Sequence, residues 1–234
     1  HEALSREMFL AVADLDGAGL NSRIRSAAPL TWNSILHSLG DMIEERDEVE
    51  WDQAAKAVRA RRKKMLGALI LEEKPLAHPE PDQVLAALLQ GIRIHGLQVL
   101  SWPKAAVQWR QRMQFLRSQL GEEWPDVSDE ALLETMDQWL APHAYGIASI
   151  SDLQRLNVKE ILEQLLTWDQ KRRLDEWAPT HIQVPSGSRI SIDYSDPEQP
   201  FLAVRLQEIF GWVETPRVAG GRIPITLHLL SPAQ

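Results

Sequence analysis

The chain contains no cysteine. That removes disulfide bonds, thiolate zinc ligands and cysteine nucleophiles together, and it fits a reducing compartment, so cytoplasmic residence is the expectation. No apolar run approaches the roughly eighteen residues of a membrane span. The opening HEALSREMF has neither the basic tip nor the apolar stretch of a secretory signal. A GxxxxGK run is missing, as is an Asp-Glu-x-His sequence to hold magnesium and orient water, so the chain standing alone is not expected to hydrolyse ATP. The seven histidines show no HExxH spacing, and no G-x-S-x-G elbow occurs, which leaves no catalytic or metal motif to name. A basic surplus is lacking too: the formal charge is −8, where a dedicated duplex binder usually carries excess lysine and arginine.

What is present is a 234-residue globule, 44% hydrophobic and 25% charged, enough for one large or two to three small domains. Its nine tryptophans are spread along the chain, a pattern of core packing more than of one stacking platform. The non-methionine start and the ending Pro232-Ala233-Gln234 read as cut edges of something longer.

The first 77 residues read as β. Phe9, Ala11 and Ala13 alternate with their neighbours up to a turn signal at Asp16-Gly17-Ala18-Gly19, and Arg23-Ile24-Arg25 is a second strand candidate. Thr31 is placed to cap a short helix over Trp32–Leu39. Val49 and Trp51 alternate with acids, and AVRARRKK returns as a hairpin partner that sets glutamates across from Arg59, Arg61 or Lys63. MLGALILEEKPL extends that second strand, with Gly67 as a bend or bulge. These strands predict a small OB-like barrel. Beyond His78-Pro79-Glu80-Pro81 the period becomes 3.6: Val84 through His95 stop at Gly96, Ala106 through Leu120 stop at Gly121, and Ser128 caps a third helix. Asn157 with Glu160 has capping-box spacing, and DQKRRLDEW is a further short helix. The last 56 residues return to strands at Arg189–Tyr194 and Ile225–Leu230, with a helix predicted from Pro200 to Phe210 and a turn at Gly220-Gly221. The expected fold is therefore α+β and multidomain: an OB-like β-barrel over 1–77, a helical unit over 78–178, and a terminal mixed β-rich unit over 179–234 with one short helix, packed on the helical domain.

Two groups of cations stand out. In strand geometry Arg59, Arg61 and Lys63 face one way while Arg62 and Lys64 face the other. Such a row either reaches a phosphate backbone or keeps a strand surface solvated against acidic neighbours. Arg189 follows the turn Ser186-Gly187-Ser188, and Arg222 follows Gly220-Gly221. Backbone N–H groups beside a guanidinium can hold a phosphate, and equally such arginines stabilise turns. The acidic run Glu44–Glu50 reads as a paired surface before it reads as a metal site. Arg205 and Gln207, on the polar side of the predicted helix, are positioned to anchor another surface.

Many long pieces of the chain resemble, in order, the C-terminal half of the bacterial HrpB proteins, DEAH-box-type ATP-dependent helicases. They include FLAVADLDG (Phe9–Gly17), RIRSAAPL (Arg23–Leu30), RRKKMLGALILEEKPL (Arg61–Leu76), GIRIHGL (Gly91–Leu97), WPDVSDEALL (Trp124–Leu133), THIQVPSGSRISIDY (Thr180–Tyr194), AVRLQEIFG (Ala203–Gly211) and TPRVAGGRIPITLHLLSPAQ (Thr215–Gln234). The resemblance implies two RecA-like motor domains in cis that bind ATP and Mg2+, while this region holds no cofactor or metal of its own. It implies a non-catalytic accessory role beside the path of single-stranded RNA or DNA, with no membrane contact. The cations expected to meet phosphate are Arg59, Arg61, Arg62, Lys63, Arg189 and Arg222. A scaffold that docks a separate protein without touching nucleic acid is the competing expectation. Family members usually continue past SPAQ, so the last sheet is expected to lack a covering segment.

Overall fold

In the computed structural model, residues 4–17 and 22–231 are described. The chain divides into two compact units, His1–Glu48 with Ala60–Ala77, and Val49–Arg59 with His78–Gln234.

The first unit begins with β1 (Phe9–Asp16) and β2 (Arg23–Leu30), an antiparallel pair whose register slips around Asp14. Part of the predicted Asp16–Gly19 turn lies outside the described residues. Helix α1 (Trp32–Leu39) forms where predicted, with the Thr31 hydroxyl accepting from the Ser34 amide at 3.1 Å. Strands β3 (Ile43–Asp52), β4 (Ala57–Leu66) and β5 (Leu69–Pro75) make a three-stranded sheet with β4 in the middle. The expected long second strand is two strands: Gly67, at φ +58, forms the turn that sends β5 back along β4.

No sheet closes into a barrel, which corrects the OB-like expectation. β1–β2 and β3–β4–β5 are separate sheets with separate edges. The reason lies in side-chain chemistry. A small barrel must fill its interior with one apolar row from every strand, whereas β3 reads IEERDEVEWD and β4 reads AVRARRKKML. Charged residues occupy both faces of these strands, so closure would bury charge.

The second unit is organised around helices. α2 (Pro81–His95) starts with proline in its first turn and ends at Gly96, φ +80. α3 (Lys104–Leu120) ends at Gly121, φ +91. Short helices follow: α4 (Asp129–Glu134), α5 (Met136–Trp139), α6 (Ile150–Leu153), α7 (Val158–Glu163) and α8 (Trp168–Trp177). Ser128 caps α4 and Asn157 caps α7, both as expected. α8 carries a reciprocal capping box between Thr167 and Gln170. The core runs from Leu88 and Ile92 through Trp109, Met113, Leu116 and Trp124, and continues into Tyr194, Leu202 and Val204.

The closing segment contains β6 (His181–Gln183) paired with β7 (Arg189–Ser191), β8 (Phe201–Arg205) paired with β11 (Thr226–Leu230), and the hairpin β9 (Arg217–Val218) with β10 (Ile223–Pro224). The helix predicted from Pro200 is not formed. Residues 201–205 are a strand parallel to β11, and only 206–209 make a 3-10 turn. Leu202 and Val204 are fully buried while Phe201 and Ala203 are half-buried, a period of two that the 3.6-period reading overlooked. Arg205 therefore ends a strand and Gln207 sits in the 3-10 turn.

Candidate nucleic-acid interface

Four of the predicted cations lie on β4, and each has a carboxylate partner. Arg62 grips Asp47 with two hydrogen bonds, Nε at 2.7 Å and Nη2 at 2.8 Å. Arg61 pairs with Glu73 and Lys63 with Glu48, and Arg59 pairs with Asp52 at 2.5 Å. Lys64 lies 3.6 Å from Glu45 and 3.5 Å from Glu72, with its ammonium over the Trp32 ring. The acidic run is thus used as a paired surface. The electrostatics agree: the Arg62 hydrogen bond holds the Asp47 carboxyl below its ordinary value, and the same bond raises Arg62. The hydrogen bond from Lys74 lowers Glu72, and the Ala55 amide lowers Asp52 ahead of Arg59.

Arg189 and Arg222 are placed differently. Both are exposed, and neither guanidinium makes an ion pair or hydrogen bond among the described residues. Arg189 opens β7, directly after a turn in which Gly187 has φ +91 and the Val184 amide reaches the Ser188 carbonyl. Arg222 leaves the Ala219–Gly221 turn, whose three residues all have positive φ, and its carbonyl accepts from Arg217 at 3.1 Å. Arg205 is exposed as well, with its backbone amide given to Glu208. The structure gathers the β4 cations into one neutralised row and leaves the two turn arginines open.

Sequence reasoning missed how the tip of the β3–β4 hairpin is held. Trp51 donates its indole N–H to His95 Nε2 at 3.3 Å and meets that ring edge-on. A Cβ added at Gly91 would fall 2.3 Å from the Trp51 ring, so the glycine supplies the space. Backbone bonds complete the clasp, Val58 N–H to Ala148 O at 2.7 Å and Ile150 N–H to Lys56 O at 3.1 Å. The available signal was Gly91 and His95 spaced i, i+4 on one face of α2. A second missed residue is Arg112, buried on α3, which donates to the Leu174 and Ala178 carbonyls at the end of α8 and to Asp175 at 2.7 Å. Among the described residues no three His, Asp or Glu side chains gather to hold a metal ion, and no helix is long and apolar enough to cross a membrane.

The family described as ATP-dependent helicase C-terminal (HrpB_C) matches residues 139–234, and the connector region of ATP-dependent RNA helicase HrpB matches residues 42–76, which is β3–β5 almost to the residue. The Escherichia coli K12 protein named ATP-dependent RNA helicase HrpB is 40% identical over 237 residues, covering 100% of this chain and 29% of its own length. Crystal structures of the Escherichia coli DExH-box NTPase HrpB and the Escherichia coli DEAH/RHA helicase HrpB superpose with TM-scores of 0.65 and 0.63. They are 39% and 37% identical, covering 98% and 97% of this chain and 29% of theirs. The chain spans under a third of the length of the relatives it matches. Its class is a C-terminal region of a DEAH-box protein, separate from the motor domains. The chain belongs to the bacterial HrpB family, as that family's C-terminal region.

Proposed function

We propose that this chain is the non-catalytic accessory region of an ATP-dependent RNA helicase, completed in cis by RecA-like motor domains and lining part of the single-strand path. The observation that carries the docking role is the state of the first unit. Among its described residues Ile35 is the one buried apolar side chain, while Val12, Leu15, Ile24, Leu36, Met42, Leu69 and Ile70 stay exposed. Ordering backbone costs about 1–2 kcal/mol per residue, and one buried isoleucine returns about 2–3 kcal/mol. Such a unit is stable when another protein surface covers it. The relative that this chain matches extends well beyond the matched 29% of its length, and we place the covering surface in that additional length.

The strand-path role rests on the unpaired turn arginines. Arg189 and Arg222 meet phosphate at no cost in broken ion pairs, whereas each β4 cation would first have to release a carboxylate. The neutralised β4 row favours the scaffold reading for that strand alone.

Two experiments test the proposal. The separately expressed remainder of the full-length protein should bind this chain in trans, and placing charge on the exposed apolar face (Val12→Glu with Ile24→Glu) should abolish that binding. Equal binding by the variant would remove the docking role. Single-stranded RNA binding by the full-length protein should lose affinity and salt dependence in Arg189→Glu/Arg222→Glu. Unchanged salt slopes would remove these arginines from the path.

A further inference from the structure

We infer that the cleft along α3, bounded by the 3-10 turn Leu97–Val99 and the start of α4, binds an extended basic segment of a separate protein. It holds about 530 Å³, and Val107, Gln111 and Gln114 line its α3 side. At i, i+4 and i+7 these three share one helix face. Val107 to Gln114 spans about 10 Å at 1.5 Å per residue, the length of about three residues of extended chain.

The polar groups left open in the cleft carry the inference. The Ser128 hydroxyl caps α4, the Gln98 amide donates to the His95 carbonyl, and the Trp102 indole N–H donates to the Leu97 carbonyl at 2.8 Å. Arg110, the one cation on the lining, gives Nε to the Val127 carbonyl at 2.6 Å and Nη2 to Asp129 at 2.5 Å, and lies over the Trp102 ring. The half-buried amides of Gln111 and Gln114, in contrast, make no hydrogen bond among the described residues, and the exposed Glu130 makes no ion pair among them.

A glutamine amide carries the donor and the acceptor of a peptide unit on one planar group, so it pairs with a backbone amide through both. Two such amides on successive turns of a helix, about 5–6 Å apart, match peptide groups two residues apart on one side of an extended chain, about 6–7 Å. Leu97, Trp102 and Val107, the last 39% exposed, supply an apolar wall for one side chain of the segment. Charge decides between peptide and nucleic acid. Arg110 and Asp129 cancel, which leaves the Glu130 carboxylate as the unbalanced charge. A phosphate backbone is repelled there, and a lysine or arginine is attracted.

The test selects from a phage-displayed library of random heptapeptides on the 234-residue chain, then measures the selected sequence by calorimetry as a synthetic peptide. Selection should converge on a lysine or arginine near a large apolar residue. N-methylation of either of two peptide amides spaced i, i+2 should weaken binding about tenfold, and Gln111→Ala/Gln114→Ala should do the same. Glu130→Gln should cost about threefold. Convergence on acidic sequences or on none, an N-methyl scan without loss, or binding unchanged in these variants would overturn the proposal. So would single-stranded RNA binding that Gln111→Ala/Gln114→Ala abolishes, since the cleft would then belong to the strand path. Failure of the full-length protein to bind the peptide would overturn it as well, because its own chain would then fill the cleft. The N-methyl scan uses the unaltered protein and decides even where a variant folds poorly. Neither the turn arginines nor the apolar face of the first unit lines the cleft, so its failure leaves the proposed function standing.

Discussion

The Trp51 indole occupies the place where a side chain at position 91 would project: a Cβ on Gly91 would lie 2.3 Å from the ring. An exposed helical glycine replaced by alanine usually gains up to about 1 kcal/mol of helix propensity. Here overpacking outweighs that gain, and Gly91→Ala should destabilise the protein by about 1–3 kcal/mol in denaturant unfolding. In a Trp51→Ala background the same substitution should become neutral or stabilising. Independent, additive costs would show that the two residues do not share the space.

Arg112 ties α3 to the end of α8 through two carbonyls. Arg112→Met should cost about 1–3 kcal/mol, because the Ala178 carbonyl loses its donor inside the protein while the Leu174 carbonyl keeps only the Ala178 amide. Arg112→Lys should recover little, since an ammonium cannot reproduce the planar fork. Thermal unfolding of the three proteins checks both statements.

The Asp47–Arg62 pair gives the β3–β5 sheet a pH signature. Its folded carboxyl titrates below the ordinary aspartate value because of the Arg62 hydrogen bonds. Stabilisation from a lowered acid is complete above the unfolded value and disappears as pH falls through the folded one. Amide protection in β3 and β4 should therefore drop as pH goes through and below the usual carboxylate range. Asp47→Asn should flatten that drop, and salt should shrink it, because the pair is solvent-exposed. A profile identical in Asp47→Asn would assign the transition to other acids.

Much of the architecture was legible because local signals were strong. Thr31, Ser128 and Asn157 precede their helices as caps, and Gly96 and Gly121 end theirs with positive φ. The β3–β4 hairpin followed from alternating acids facing a basic return. Other features were hidden by physics that acts between distant segments. Residues 201–205 have apolar residues dense enough for either period, and pairing with β11, more than twenty residues later, decides for strand. Barrel closure depends on whether edge strands meet, which alternation within each strand does not specify. Of the candidate cations, spacing located all six, yet it could not show that Asp47, Glu48, Asp52 and Glu73 had already claimed the four on β4. Arg112 gave no signal, because its partners Leu174, Asp175 and Ala178 lie at the end of α8, far along the chain from α3.

Hydrogen exchange across the β1–β2 hairpin and α1, measured in this chain alone and within the full-length protein, probes the account most directly. Docking on the motor predicts weak protection of Leu10–Asp16, Ile24–Leu30 and Ile35 amides in the isolated chain and at least a tenfold slowing in the full-length protein. The α2–α3 core should exchange equally slowly in both, as its apolar residues are buried within this chain. Equal protection of the hairpin in the two proteins would contradict the account, since the first unit would then need no other surface to hold it.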